Sequence, residues 1–141
     1  MINDGLKLKG KLAISLNGKI IQEVDNLVVT AGKGYVASRM KDATATAMSH
    51  MAIGSGSTAA AASDTALGNQ LCRVALTRTS VSNAVFTYVA SFPAGTGTGA
   101  VTEAAILNAS SGGTMLCRTV FSVVNKGAQD SMTVTWTVTV S

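Results

Sequence analysis

The chain has 141 residues, of which 47% are apolar and only 13% are charged, and its formal net charge is +4. The length predicts one domain over residues 1–141 with enough apolar side chains for a core. No apolar run reaches the roughly 20 residues of a membrane-spanning helix, and two cysteines are too few for a disulfide framework. We therefore expect reduced cysteines and no membrane partner. The charged fraction is about half the usual one, which indicates that partner subunits cover much of the surface.

The positive charge is concentrated near the N-terminus. Residues 1–41 hold seven basic and three acidic side chains, whereas the rest of the chain holds four of each. Lys7, Lys9 and Lys11 interrupt the first segment and no apolar stretch of a secretion signal follows them. A basic arm suits an acidic protein surface or nucleic acid. Nucleic acid is not an expected partner, because Tyr35 is the only aromatic residue among these basic ones.

The first elements predicted are the two strands of a hairpin. Apolar side chains alternate with polar ones from Leu6 to Leu16, which is typical of a half-buried strand. Asn17-Gly18 suits the positive-φ positions of a tight turn, and the return strand runs over Lys19–Val24. The lysines lie on the solvent face of this hairpin (residues 1–25). Its apolar face needs a cover, either from the same chain or from a neighbouring subunit that shares the hairpin, and the sequence leaves both open.

One short helix is predicted next. Thr30 is a suitable N-cap for a helix over residues 31–42, in which Val36 and Met40 lie four residues apart on one face. A short strand over Ser49–Ile53 follows.

The segment Met51–Leu71 is rich in glycine and alanine and almost uncharged, with Asp64 as its only acid–base side chain. We predict a long loop with a capped helical turn at Asp64–Leu67. An uncharged loop can lie against a neighbouring protein without desolvating a charge. The predicted protein interface therefore combines this loop with the basic arm, and its residues are Lys7, Lys9, Lys11, Ser55, Gly56, Ser57 and Thr58.

The remainder of the chain reads as strands separated by glycine-rich turns. They are predicted at Leu71–Val81, Ala84–Phe92, Val101–Asn108, Thr114–Asn125 and Ser131–Val140. In the last of these, apolar residues alternate strictly with threonines. About eight strands with one short helix in the N-terminal third predict an all-β fold, an antiparallel β-sandwich or jelly roll.

The chain offers little that resembles a catalytic or cofactor site. A zinc site or a Ser–His–Asp triad would depend on the single histidine, His50, and Gly32-Lys33-Gly34 lacks the spacing of a phosphate-binding loop. We therefore expect no enzymatic activity, no catalytic residues, no metal and no cofactor. Glu103 lies within a strand among small residues, where we expect a structural ion pair with Arg73, Arg78 or Arg118.

Several short segments occur in the order found in small virion proteins of tailed phages. They are Asn26–Lys33, Met51–Gly56, Ser63–Gly68, Phe92–Gly95, Thr102–Ala104, Gly113–Phe121 and Met132–Val140. Over residues 26–141 the chain resembles this group, and it is most similar to the jelly-roll capsid cement (decoration) proteins of podovirus heads.

The resemblance implies a non-enzymatic dimer on the outer surface of the virion capsid, where it clamps neighbouring major capsid protein subunits and stabilises the DNA-filled head. Two alternatives stay open. One is a structural protein of the phage tail, baseplate or fibre. The other is a carbohydrate-binding β-sandwich module, because jelly rolls often bind sugars, although most of the six aromatic residues lie on predicted core faces.

Overall fold

The computed structural model describes residues 7–41 and 46–140 and consists of antiparallel strands with one short helix. The elements are β1 (Leu8–Leu16), β2 (Lys19–Val28), α1 (Thr30–Lys41), β3 (His50–Gly54), β4 (Gln70–Ala75), β5 (Arg78–Ser82), β6 (Val85–Phe92), β7 (Gly99–Leu107), β8 (Met115–Lys126) and β9 (Met132–Val140). The predicted all-β class and the single short helix are confirmed for the described residues.

The nine strands form one curled sheet, a half-barrel, in the order β4-β3-β7-β8-β2-β1-β9-β6-β5. The strands at its two ends, β4 and β5, are separated in the chain only by Leu76 and Thr77. Leu76 N–H donates to Ser49 O (2.8 Å), next to β3, and Thr77 N–H donates to Val89 O (2.7 Å) in β6. The curl is therefore deep enough for a two-residue link to pass from one end of the sheet to the other.

The curled sheet has two halves that enclose one core. β5, β6, β9 and β1 form the β1 half, and β8, β7, β3 and β4 form the β3 half. β2 joins them, because it pairs with β1 along most of its length and with β8 only at Leu27 and Val28. Side chains from both halves, such as Trp136 and Ile53, belong to one buried cluster. The sandwich expected from the sequence is thus represented by a single sheet folded over on itself.

The β1–β2 hairpin forms as predicted. Asn17 and Gly18 both have positive φ, 51° and 85°, and the strands on either side pair antiparallel. Leu12 and Ile14 point into the core and are completely buried. Both belong to the core cluster, so the apolar face of this strand is covered within the chain, and β1 also pairs with β9 of the same chain along its whole length. Residues 1–6 of the predicted hairpin lie outside the described residues.

Two predicted elements differ in the structure. The single strand expected at Leu71–Val81 is divided into β4 and β5 where the chain crosses between the halves, so there are nine strands among the described residues and not eight. The helical turn expected at Asp64–Leu67 is absent. The Asp64 carboxylate instead accepts the Ala61 N–H (2.8 Å) and an arginine described below, so it is not available to cap a helix that follows it.

A second, smaller apolar cluster lies on the outer side of the β3 half. It comprises Val29, Ala52, Ala105, Leu107 and Met115, with Ala31 and Leu67 packed against it. The start of α1 and the β3–β4 connection therefore cover this face. The helix approaches β8 closely: Val29 N–H donates to Leu116 O (3.2 Å), and Gly32 lies directly against the main chain of Leu116.

Candidate functional site

A buried carboxylate holds the long β3–β4 connection in place. Glu103 of β7 is completely buried and accepts three backbone N–H groups from that connection. Gly56 and Asn69 donate to its Oε2 (2.7 and 2.8 Å), and Gly68 donates to its Oε1 (2.8 Å). One side chain therefore binds both ends of the Ser55–Asn69 segment.

Arg118 of β8 completes this cluster. Its Nη2 and Nε donate to Glu103 Oε1 (2.9 and 3.1 Å), and its Nη1 donates to Asp64 Oδ2 (2.9 Å). Nη2 also donates to the carbonyl oxygen of Thr58 (3.0 Å). The predicted structural ion pair of Glu103 is confirmed, and its partner is Arg118. We refer to Glu103, Arg118 and Asp64 as the Glu103 cluster.

The cluster keeps its central carboxylate ionised. Burial by itself would raise the pKa of Glu103, but the three backbone N–H donors and Arg118 outweigh it and hold the pKa below its usual range. Arg118 is also buried, so loss of its charge would leave Glu103 in the interior without a counter-charge, which is strongly unfavourable. Loss of the Glu103 charge would leave Arg118 with Asp64 as its remaining carboxylate partner.

Further hydrogen bonds fix the Ser55–Asn69 segment on the outer side of the β3 half. Ser55 N–H donates to Asn69 O (2.9 Å), and Thr102 Oγ1 donates to Gly56 O (2.7 Å). Thr30 N–H, at the start of α1, donates to Ala62 O (2.8 Å). The segment thus lies over its own sheet, and its predicted contact with a neighbouring protein stays a prediction.

The structure separates the predicted interface residues into two groups. Ser55, Gly56, Ser57 and Thr58 lie in the segment bound to the Glu103 cluster, with the first two partly buried and the last two exposed. Lys7, directly before β1, and Lys9 and Lys11 of β1 are exposed on the β1 half of the sheet. The two groups do not form one contiguous site.

The outer face of the β1 half is not covered by the described chain. Lys9 and Lys11 pair across the strands with Thr139 and Thr137 of β9, and a shallow depression of about 460 Å³ lies between these lysines, the threonines of β9 and the acidic residues of β2. Lys11 Nζ is 3.8 Å from Glu23 Oε2, with both side chains more than half exposed. We call this surface the open face.

A cavity of about 460 Å³ opens between α1 and the β5–β6 hairpin. Three of the six aromatic side chains line it, Tyr35, Phe86 and Tyr88, together with apolar residues that include Val36 and Val81. Burial, with smaller contributions from Tyr35 and Cys117, raises the pKa of Tyr88 to about 12. Its hydroxyl is therefore neutral at physiological pH. Phe86 and Tyr88 are two residues apart in β6 and so lie on one face of the strand, whereas Tyr35 is brought to them by the packing of α1.

The histidine and the cysteines are not grouped. His50 Nδ1 is 2.7 Å from the Oγ of its neighbour Ser49. Both cysteines are free thiols: Cys72 is partly buried and Cys117 is buried. In residues 7–41 and 46–140, no three His, Cys, Asp or Glu side chains are arranged to hold a metal ion. Over the same ranges, no helix has both the length and the apolar character needed to cross a bilayer.

The sequence signals for the Glu103 cluster were indirect. An acidic residue within an otherwise small and apolar strand indicated an ion pair, but the three N–H donors belong to loop residues that are distant in the chain. The glycine at position 56 is itself a signal of this close contact, because a Cβ there would lie 2.5 Å from Glu103 Oε2.

Comparison of this chain with protein-family models, with curated proteins and with solved structures found no match.

Proposed function

We propose that this protein is a non-enzymatic virion protein, a capsid cement (decoration) protein that binds the outer surface of a phage head and clamps neighbouring major capsid protein subunits. One observation carries the proposal, the contrast between the two outer faces of the sheet. The chain's own helix and loop pack on the β3 half. The open face of the β1 half instead presents the exposed Lys9 and Lys11 beside the partly buried threonines of β9.

The chemistry of the open face supports a protein partner. Its threonine hydroxyls can donate and accept hydrogen bonds, and its lysines favour association with an acidic surface. A stable interface buries roughly 1,200–2,000 Å². Repetition of such contacts over a lattice strengthens attachment without high affinity at any one site.

The way the loop is held also supports a mechanical role. A protein that clamps subunits transmits force between them, so its own loops must keep their structure under that force. The Glu103 cluster joins the Ser55–Asn69 segment to β7 and β8 through charge-assisted hydrogen bonds, which are roughly twice as strong as neutral ones.

We further propose that the curled sheet is a variant of the jelly roll. The connections β4–β5, β6–β7 and β8–β9 each pass from one half of the sheet to the other. Such repeated crossings wrap the chain around one core, as in jelly rolls.

For the dimer implied by the resemblance, we propose a contact through β5. All five residues of this end strand are exposed, and Val81 is 63% exposed. Among the strands of residues 7–41 and 46–140, β5 pairs with β6 alone, so its other edge can pair with the same strand of a second copy in a symmetric dimer.

The proposal is tested with purified protein and empty, expanded capsids that lack it, from the phage whose genome encodes the chain. We expect stoichiometric binding and a higher temperature of capsid rupture. The double variant Lys9→Glu/Lys11→Glu should bind at least about tenfold more weakly, because two attractions become repulsions. Lys19→Glu is the control, since Lys19 is an exposed lysine at the start of β2 that does not line the depression of the open face.

Two results would contradict the cement function. One is a folded wild-type protein that does not bind these capsids. The other is labelled protein that electron microscopy finds only on the tail, which would favour the tail or baseplate alternative.

The aromatic cavity favours carbohydrate binding as a second candidate function. Tyr35, Phe86 and Tyr88 line it beside the hydroxyls of Thr79 and Ser80, and sugars combine apolar faces with hydroxyl groups. Trp136 is completely buried and is not available for such a contact. A glycan array should detect binding that is lost in a folded Tyr35→Ala variant, and the absence of any glycan ligand would remove this candidate.

A further inference from the structure

A basic groove lies between the start of β1 and the exposed side of α1. Its volume is about 420 Å³. The apolar residues Leu8, Val36 and Ala37 line it together with Met40, which is 76% exposed. Three lysines complete the lining, Lys7, Lys9 and Lys33. The groove thus has an apolar lining, and the charged side chains in that lining are all positive.

The three lysines have no acidic partner among the described residues. Lys11 lies near Glu23, and Arg118 is bound by two carboxylates, but no ion pair within residues 7–41 and 46–140 involves Lys7, Lys9 or Lys33. All three are exposed. Their mutual repulsion is relieved when an anionic group binds between them.

The groove adjoins the aromatic cavity. Leu8 and Val36 line both spaces, so a ligand in the groove can reach the cavity across this shared wall. The cavity is lined mainly by apolar and aromatic side chains, and its volume of about 460 Å³ lies within the range of about 300–1,000 Å³ that is usual for binding pockets. It is therefore large enough for a leucine or phenylalanine side chain.

We propose that the basic groove binds an acidic segment of another protein, with carboxylates at Lys7, Lys9 and Lys33 and one bulky apolar side chain in the aromatic cavity. The lysines favour acidic residues in the bound segment through charge complementarity. The cavity lies next to the groove across Leu8 and Val36, so an apolar residue beside the acidic ones can enter it. This inference goes beyond the capsid proposal and does not depend on it, although the groove shares Lys9 with the open face.

A peptide fits this surface better than nucleic acid or a bilayer. Single-stranded nucleic acid binds where aromatic faces are open for base stacking beside the basic groups, whereas Tyr35 and Tyr88 are partly buried. A bilayer surface needs a broad apolar face, whereas Met40 is the only exposed large apolar residue among those that line the groove.

The test uses a fluorescein-labelled synthetic peptide of glutamates around a central leucine, titrated with the full chain and followed by fluorescence anisotropy. We expect saturable binding that weakens with added salt. Lys33→Glu should weaken it about tenfold, because an attraction becomes a repulsion, and Lys19→Glu less than about twofold, since Lys19 does not line the groove. A peptide with a central alanine should bind about tenfold more weakly than the leucine peptide.

Equal effects of Lys33→Glu and Lys19→Glu in folded variants would overturn the proposal, as would equal binding of the leucine and alanine peptides. Binding of a single-stranded oligonucleotide or of phosphatidylserine vesicles that depends on Lys33, without peptide binding, would also overturn it. If the protein binds the peptide but does not bind capsids, the cement function is rejected and this inference is kept.

If the protein binds capsids with no effect of Lys33→Glu, and does not bind the peptide, this inference is rejected and the cement function is kept.

Discussion

At the scale of single residues, two glycines of α1 have different roles. A Cβ on Gly32 would collide with the main chain of β8 and would lie 2.8 Å from Leu116 Cα, whereas a Cβ on Gly34 would meet nothing within 4 Å. Gly32 is therefore needed where the helix approaches the sheet. Gly34 only lowers the helix propensity of a solvent-facing position.

This contrast predicts opposite effects of one substitution at two positions. Gly32→Ala should lower the free energy of unfolding by about 1–3 kcal/mol through overpacking, because the colliding atoms belong to a backbone that cannot rotate away. Gly34→Ala should raise it by about 0.5–1 kcal/mol. Urea denaturation followed by circular dichroism measures both, and destabilisation of equal size in the two variants would contradict the packing of α1 on β8.

At the scale of an element, the position of the Ser55–Asn69 segment depends more on one carboxylate of β7 than on the side chains of the segment itself. It has few apolar side chains that pack on the sheet, with Leu67 the clearest contact. Three of its backbone N–H groups donate to Glu103. The stability of this loop is therefore tied to a residue of β7 and responds to its protonation.

Glu103→Gln should lower the free energy of unfolding by about 3 kcal/mol, because it leaves Arg118 buried without its main counter-charge. Glu23→Gln, the same change in the exposed pair with Lys11, should cost less than about 1 kcal/mol. In the first variant the amides of Gly56, Gly68 and Asn69 should exchange hydrogen faster. Protection of these amides equal to that of the wild type would contradict the assigned hydrogen bonds.

The same cluster predicts a direction for pH dependence. The pKa of Glu103 is lower in the folded protein than its usual value, so the unfolded chain binds the proton more readily. The ionised Glu103 therefore contributes its full stabilisation when the pH is above its usual, unfolded-state pKa. This stabilisation is lost as the pH falls through the lower pKa of the folded state. Urea midpoints should therefore fall on acidification, and less steeply in Glu103→Gln. Identical slopes in the two proteins would argue against an ionised Glu103.

At the scale of the whole molecule, the curled sheet has a sealed core and less protected ends. Cys117 lies in the core cluster and is buried, and burial raises the pKa of its thiol. Cys72 lies in the end strand β4 and is partly buried. Its pKa is also raised by burial, against which Lys126 acts. The exposure of the Cys72 thiol therefore reports on local unfolding of β4, and that of the Cys117 thiol reports on unfolding of the core.

A thiol reagent such as dithionitrobenzoate should react with Cys72 through local opening of β4 and with Cys117 only through unfolding of the core. The variants Cys117→Ala and Cys72→Ala isolate the two reactions. We expect the Cys72 rate to exceed the Cys117 rate by at least about tenfold, which corresponds to an opening free energy lower by about 1.4 kcal/mol. Equal rates would indicate that β4 opens only together with the core.

Features set by neighbouring residues were predictable from the sequence. The alternation in β1 and β9 and the positive-φ pair Asn17-Gly18 are present as expected, and α1 begins one residue before the predicted start at residue 31. Each depends on side-chain periodicity or on the conformational preference of one or two residues, and those act over a few positions in the chain.

Features set by distant residues were decided by the tertiary structure. The sequence indicated an ion pair for Glu103 but left three arginines as partners, and it did not indicate that the Ser55–Asn69 segment is bound to its own sheet. Only the folding of β7 and β8 side by side selects Arg118 and brings Glu103 to the N–H groups of Gly56 and Gly68. The division of Leu71–Val81 into β4 and β5 has the same origin, because the bend follows from the curl of the whole sheet and not from the residues at the bend.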